Sequence, residues 1–270
     1  MSRRVRLDSE LVRRGLARSR EQAAQLIDAG RVTVGGQVAR KPATQVDTAS
    51  AVVVAASEAG PDYVSRGAHK LLGALDTFES LTVKGRRCLD AGASTGGFTD
   101  VLLRRGAAHV LAVDVGYGQL AWSLRTDERV TVMERVNVRD LTPGMVGEPP
   151  TLVVGDLSFI SLRLVLPALA AVAAPEADLV LLVKPQFEVG KELVGAGGVV
   201  RDPELRRRAV REAAAKAAEL GLTVRGVTAS PLPGPSGNVE YLLWLGKGEG
   251  GPPVSDLDAE IQRAVAEGPQ

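Results

Sequence analysis

The chain has 270 residues, a formal net charge of +1, 45% hydrophobic and 24% charged residues. That length leaves room for one large globular domain or two smaller ones. A single cysteine and two histidines exclude a disulfide framework, speak against a bound metal, and fit a reducing cytoplasm.

No apolar segment follows the N-terminal MSRRVRLDSE, so no secretory signal is visible. Leu7-Asp8-Ser9-Glu10 reads as a helix start with Asp8 as N-cap. Leu11, Val12 and Leu16 give that helix its apolar face. Ser19 starts a second helix as the N-cap of a capping box with Gln22, and Gly30 is its stop signal. Short strands at 31–34 and 37–39 flank a Gly35-Gly36 turn, and 52–55 is a further strand. Residues 1–70 carry 12 basic against 7 acidic side chains, the remainder 21 against 25. A nucleic-acid footprint and a solvated basic surface both fit that imbalance.

The pattern R-L-D-x-x-L-V-x-R-G-L-A-x-S-R-x-x-A-x-x-L-I-x-x-G-x-V-x-V-x-G, over roughly residues 5–55, resembles the S4 RNA-binding domain. One departure is Gly36, where many such domains have Asn. Both residues tolerate positive φ, so the turn is preserved. The resemblance implies a small α+β module that docks on structured RNA, with Arg6, Arg13, Arg14, Arg18, Arg20 and Lys41 as candidate contacts, joined by Arg66 further on. Residues 1–62 contain no aromatic side chain, so recognition there rests on phosphate contacts and shape rather than base stacking. The module is expected over 1–56, with 57–62 as a Gly/Pro linker.

From residue 63 the pattern changes. Residues 66–78 read as a helix carrying His69 and Lys70. Strands are expected at 87–90, 110–114, 130–133, 152–156, 179–184, 222–229 and 240–245, with helices at 98–105, 119–124, 161–173 and 203–220. Near-continuous apolar strands such as 179–183 imply a mostly parallel sheet covered on both faces. The short connection 230–239 makes the last strand antiparallel. This is a doubly wound, Rossmann-like α/β domain over 63–246, and 247–270 is expected to be a peripheral tail. The most apolar helical stretch, 164–174, contains Pro167 and is too short to span a bilayer, so a membrane role is not expected.

The first strand runs into a glycine-rich turn, CLDAGASTGGFTD, at 88–100. Its spacing is neither G-x-G-x-x-G nor the lysine-bearing phosphate loop. A structural turn and a cradle for the amino-acid end of S-adenosylmethionine (SAM) both fit these glycines taken alone. Companions at the carboxyl edge of the sheet favour the cradle. Asp90 ends the first strand. Asp114 ends the second, placed to accept hydrogen bonds from a ribose. Val138 and Asp140 follow the third, suited to an adenine edge. Asp156 ends the fourth, Lys184 the fifth, and Glu240 begins the antiparallel strand at the same edge. Two lysines and two acids there form an alternating network. A neutral amine in such a network needs desolvation or the second cation to outweigh the carboxylates, and can then take a proton from a hydroxyl.

Lys70 in S-R-G-A-H-K, Asp156 in D-L-S-F-I-S-L, Lys184 in V-K-P-Q-F-E and Glu240 in G-N-V-E-Y-L resemble the Lys-Asp-Lys-Glu tetrad of FtsJ-type SAM-dependent ribose 2′-O-methyltransferases. With the preceding S4-like module, nearly the whole chain resembles the TlyA family of rRNA cytidine 2′-O-methyltransferases, also called haemolysins. The resemblance implies Lys184 as general base, Asp156 orienting it and the methyl donor, and Lys70 and Glu240 completing the network. It implies Gly92, Ser94, Thr95 and Gly96 at the methionine end of SAM, Asp114 at its ribose, Asp90 as a further cofactor-binding residue, and ribosomal RNA or subunits as partner. No metal is required. Tyr117, Phe159 and Phe187 are placed either to stack a splayed-out base or simply to pack. A base methyltransferase is disfavoured, because the fourth strand ends in D-L-S-F and the one cysteine precedes the cofactor turn. Two further readings are a membrane-lytic protein and a non-catalytic ribosome-assembly factor.

Overall fold

A computed structural model describes residues 4–17, 19–55, 62–249 and 251–269. Arg18 and most of the expected linker fall outside the described residues. The chain divides into two compact units, Met1–Asp62 and Tyr63–Gln270.

In the first unit, strand β1 (Arg4–Arg6) leads into α1 (Leu7–Arg13) and then α2 (Arg20–Asp28). The strands β2 (Val32–Val34), β3 (Gln37–Val38), β4 (Gln45–Asp47) and β5 (Val52–Val54) follow. β3, β2 and β5 form one antiparallel sheet, and β1 pairs with β4 in a second. Leu7, Leu11, Leu26, Ile27 and Val32 make a core of their own. Ser19 caps α2 by accepting from Gln22 N, as its sequence position predicts. Asp8 does not cap α1: Arg6 is the N-cap, and the Asp8 carboxylate accepts from Ser9 N and lies against Arg6 and Arg20. The β1–β4 pair has no clear sequence signal, because three-residue strands carry too few alternations to stand out.

The second unit opens with α3 (Ala68–Thr77). Then come β6 (Arg87–Ala91), α4 (Gly97–Arg104), β7 (His109–Asp114), α5 (Trp122–Arg125), β8 (Val130–Glu134), a 3-10 turn at Val138–Asp140 and α6 (Pro143–Val146). They are followed by β9 (Leu152–Gly155), α7 (Leu162–Val172), β10 (Asp178–Val183), α8 (Pro185–Glu188), α9 (Pro203–Glu219), β11 (Leu222–Ala229), β12 (Tyr241–Lys247) and α10 (Leu257–Glu267). The seven strands lie in the order β11-β12-β10-β9-β6-β7-β8. All neighbours are parallel except β12, which runs antiparallel between β10 and β11. The all-apolar middles of β9 and β10 are buried on both faces, which is why those strands show no alternation. Apolar side chains from α7, α9 and one sheet face form one core, and α3 and α4 close the other face. The final helix, in the segment expected to be peripheral, sets Ile261, Ala264 and Val265 into the first of these cores beside β11. Its apolar positions fall at helical spacing, and that stripe needs a partner.

Two chain reversals position the chemistry. The crossover from β9 to β10 brings the ends of both strands, Asp156 and Lys184, to one edge. The antiparallel register of β12, with Tyr241 opposite Val183, brings Glu240 to that same edge.

Candidate active site

The four tetrad residues meet. Lys70 Nζ, from the first turn of α3, lies 2.7 Å from Glu240 Oε2 and 3.1 Å from Asp156 Oδ2. Lys184 Nζ lies 2.6 Å from Asp156 Oδ1 and donates to Ser158 Oγ at 2.8 Å. The order is therefore Glu240–Lys70–Asp156–Lys184, with Asp156 shared between two amines. The approach to Asp156 Oδ1 is a charge contact, and the aligned hydrogen bond of Lys184 is the one to Ser158. Lys70, Lys184 and Glu240 are buried, and Asp156 is partly open. Burial alone would lower the pKa of Lys70, but Asp156 and Glu240 outweigh it and hold the ammonium above its ordinary value. Burial would likewise raise Asp156, yet Lys184 and Lys70 bring it below the usual carboxylate range.

A cavity of about 470 Å³ adjoins the network, within the range usual for small-ligand sites. Gly92, Ser94 and Asp114 form one wall, Val136, Asn137 and Val138 another, and Asp156, Leu157, Ser158 and Phe159 a third. Asp114 takes Ser94 N on Oδ2 at 2.8 Å and Gly116 N on Oδ1 at 2.7 Å, which fixes its carboxylate at the cavity wall. Gly92 has φ +83°, and a Cβ there would sit 3.0 Å from the Asp156 carbonyl oxygen. The glycine-rich turn thus rests directly on the strand end that carries Asp156, where a side chain would crowd that backbone and the positive φ favours glycine. Gly96 has φ +100°, and a Cβ there would run into Leu124 and Leu120.

The other expected cofactor contacts take different positions. Thr95 and Gly96 belong to the turn without lining the cavity, and Asp140 is exposed and does not line it either. Asp90 is fully buried behind the turn. It accepts from Thr99 Oγ1 at 2.7 Å, its Oδ1 has no partner, and burial pushes its pKa up to about 7 against the opposing Thr99 bonds.

Three polar residues here were not assigned a role from sequence. Ser158 holds Lys184. Glu188, buried in α8, accepts from Ser161 Oγ and Leu162 N, both at 2.6 Å, and so ties the loop after β10 to the start of α7. Asn238 accepts from Val200 N and donates to Gly198 O, pinning the glycine-rich loop before α9 to the approach of Glu240. Ser158 and Glu188 lie in motifs visible in the sequence, D-L-S-F and K-P-Q-F-E, but only the folded chain shows their partners. Phe159, at φ +64°, is 91% exposed, and its ring centroid is 5.4 Å from that of Phe187. Tyr117 is also exposed, with the Arg135 guanidinium over its ring.

In the first unit the arginines separate into two kinds. Arg14 is mostly buried and bonds Glu10, Thr48 O and Ser50 O. Arg6, Arg13 and Arg20 pair with Asp8 or Glu10 from exposed positions. Their guanidinium groups draw the Asp8 carboxyl well below the usual range and the Glu10 carboxyl down to about 2. Lys41 is exposed, as is Arg66 in the second unit.

Residues 63–247 match the FtsJ-like methyltransferase family, and residues 5–53 match the S4 domain. The chain is 62% identical to the 16S/23S rRNA (cytidine-2′-O)-methyltransferase TlyA of Mycobacterium tuberculosis, over all of both chains. It is 39% identical to Hemolysin A of Brachyspira hyodysenteriae, over 88% of this chain and 98% of that one. A solved hemolysin-named structure from Streptococcus thermophilus superimposes with a TM-score of 0.74 at 40% identity, covering 98% of this chain and 96% of that one. The chain therefore belongs to the FtsJ-like methyltransferases, in the S4-bearing TlyA family.

Proposed function

We propose that this enzyme transfers the methyl group of SAM to the ribose 2′-oxygen of a cytidine in ribosomal RNA, with the S4 unit as an RNA-docking module. One observation carries the reading: Asp156 and Ser158 belong both to the lysine–carboxylate network and to the cavity wall. The proton-handling group and the cofactor space are thus contiguous.

SAM, when bound, supplies an electrophilic methyl carbon. Gly92 and Ser94 would hold its methionine end, with Asp90, Thr95 and Gly96 backing the turn. Asp114 would hold its ribose and Val138 its adenine, with Asp140 at the margin. The fit rests on a cavity of the right size, a carboxylate fixed at its wall, and a turn whose positive φ and close approach to the Asp156 backbone favour glycine at 92.

Lys184 is the member placed to take the 2′-hydroxyl proton. Glu240 and Asp156 keep Lys70 charged, so part of the Asp156 charge is spent on Lys70 rather than on Lys184. Asp156 and Ser158 orient Lys184 Nζ, and the buried surroundings keep competing water away from it. The main requirement is alignment of oxygen, methyl carbon and sulfur. A base-paired cytidine must be exposed before its 2′-oxygen can enter, and Phe159, standing out in solvent beside the cavity, is placed to stack it. No metal enters this scheme. A ribosomal substrate, small or large subunit, places the protein in the cytoplasm.

The test is methyl transfer from labelled SAM to unmodified ribosomal subunits, comparing wild type with Lys184→Ala. The expected product is a ribose methyl that makes the linkage alkali-resistant, with the variant binding RNA but falling at least about 10²-fold in rate. Absence of labelling on naked rRNA, subunits and whole ribosomes by folded wild-type protein overturns the reading. The names of some relatives favour a lytic activity. Among the described residues no helix is long and apolar enough to cross a membrane, and dye release from lipid vesicles tests that alternative.

A further inference from the structure

A second, larger cavity of about 680 Å³ opens between the first turns of α9, the loop before β12 and the end of α10. Arg201, Arg206 and Arg207 line it together with Ser236 and Gly237, and among the described residues no acidic side chain does. Arg207 is paired with Glu204 at 2.7 Å. Arg201 and Arg206 have no carboxylate partner among the described residues: Arg201 donates to Ala196 O and Arg206 to Val200 O. Tyr241, two positions on from Val239, is fully buried, and its hydroxyl interacts with the Arg206 guanidinium. Two guanidinium groups without a carboxylate partner among the described residues, lining a groove of this size, suit an anion.

The position of the groove narrows the anion. α9 follows the loops that leave β10, so its first turns lie at the carboxyl edge of the sheet, the edge that carries Lys184. Ser236, Gly237 and Val239 of the groove immediately precede Glu240 in the chain. Residues 239 and 240 alternate across the sheet: Val239 joins the core on the α9 side, whereas Glu240 meets Lys70 from α3. The groove therefore borders the active edge from the opposite face. We infer that the Arg201–Arg206–Arg207 groove binds the phosphodiester backbone of the RNA substrate flanking the target nucleotide, which rests on the proposed RNA substrate. Such contacts carry no sequence information; they fix register, so that one ribose reaches Lys184.

The experiment measures binding of unmodified ribosomal subunits and of a homopolymeric RNA across a salt series, for the full chain. Wild type is compared with Arg201→Gln, Arg201→Gln/Arg206→Gln, and Ser236→Glu, which adds an acid on the exposed loop and leaves the arginines untouched. SAM affinity and unfolding temperature report that the fold is intact. The double variant is expected to bind subunits about tenfold more weakly, with the slope of log K against log salt shallower by about 1 to 2. Ser236→Glu is expected to weaken binding by a similar factor. Where methylation is measured, KM for RNA rises and kcat holds. Wild-type affinity and slope in folded double and Ser236→Glu variants overturn the inference. Inorganic pyrophosphate that binds wild type but not the double variant, with RNA binding unaltered, assigns the groove to a free anion and overturns it equally. The binding readout is independent of methyl transfer, so failure of the proposed reaction and failure of this site are told apart.

Discussion

Lys70 Nζ donates to Glu240 Oε2 at 2.7 Å across 170 positions of sequence, and neither side chain is open to solvent. This buried pair joins the first helix of the catalytic unit to its antiparallel strand. Removing Lys70 leaves Glu240 charged, buried and without its ion-pair partner, which costs about 3–5 kcal/mol, whereas removing Glu240 leaves Lys70 paired with Asp156. Lys70→Met is therefore expected to lower stability by that order, and Glu240→Leu by less. The double variant should recover most of the loss, since two apolar side chains of similar volume can replace a buried pair. Methyl transfer should stay low in all three, because the network that holds Asp156 against Lys184 is broken in each. Urea unfolding with single-turnover kinetics checks this; recovery of activity together with stability would make the pair purely structural.

Ser158 accepts the aligned hydrogen bond from Lys184 at 2.8 Å, and the side chain also lines the cavity. Ser158→Ala leaves the ion pair with Asp156 in place but frees the amine to rotate. The expected result is a kcat about tenfold lower, the loss of roughly 1.4 kcal/mol of orientation, with unfolding temperature unchanged. Cysteine at 158, a weak acceptor, should fall between. A fall in SAM affinity with kcat intact would place Ser158 with the cofactor instead.

Most strands of the catalytic unit were legible because buried parallel strands are short apolar runs, and the turn at 91–97 stood out through its glycines. The tetrad was legible only as four residues in four motifs. That Asp156 is shared, and that Glu240 reaches Lys70 rather than Lys184, depends on the antiparallel register of β12. No local pattern encodes that register. Ser158 and Glu188 sit inside quoted motifs without a role of their own, because a side-chain acceptor declares itself only when its donor arrives from another element. Arg14 was read with its neighbours as an RNA contact for the same reason: its carbonyl partners at 48 and 50 lie 34 and 36 positions away.

Arg14 and Arg20 should accordingly behave differently. Arg14→Ala removes two carbonyl bonds and one partner of buried Glu10, and should destabilise the first unit by about 2–3 kcal/mol. Arg20→Ala leaves Arg6 on Asp8 and should cost under about 1 kcal/mol, while weakening RNA binding and flattening its salt dependence. Unfolding curves and salt-titrated binding of both variants separate the roles; equal loss of stability in the two would refute the division.

Asp90 gives the catalytic unit a pH dependence that its asparagine variant should remove. Its folded pKa, about 7, lies above the ordinary 3.8, because burial behind the turn disfavours the charge. An acid shifted this way binds its proton more tightly in the folded chain. Its contribution to stability is thus fully present below pH about 4, declines as pH rises toward 7, and is level beyond. Relative to Asp90→Asn, wild type should lose up to about 1.4 kcal/mol per pH unit across that window, about 2–4 kcal/mol in all. Taking the difference between the two proteins cancels every other titrating group. Thr99 supplies a built-in check: Thr99→Val removes the side-chain hydrogen bond to Asp90 Oδ2, at 2.7 Å, which favours the charged form, and should extend the decline to higher pH. Urea midpoints for the three proteins at half-unit steps from pH 4 to 8 decide it, and a wild-type minus Asp90→Asn difference that is flat with pH would mean that Asp90 ionises freely.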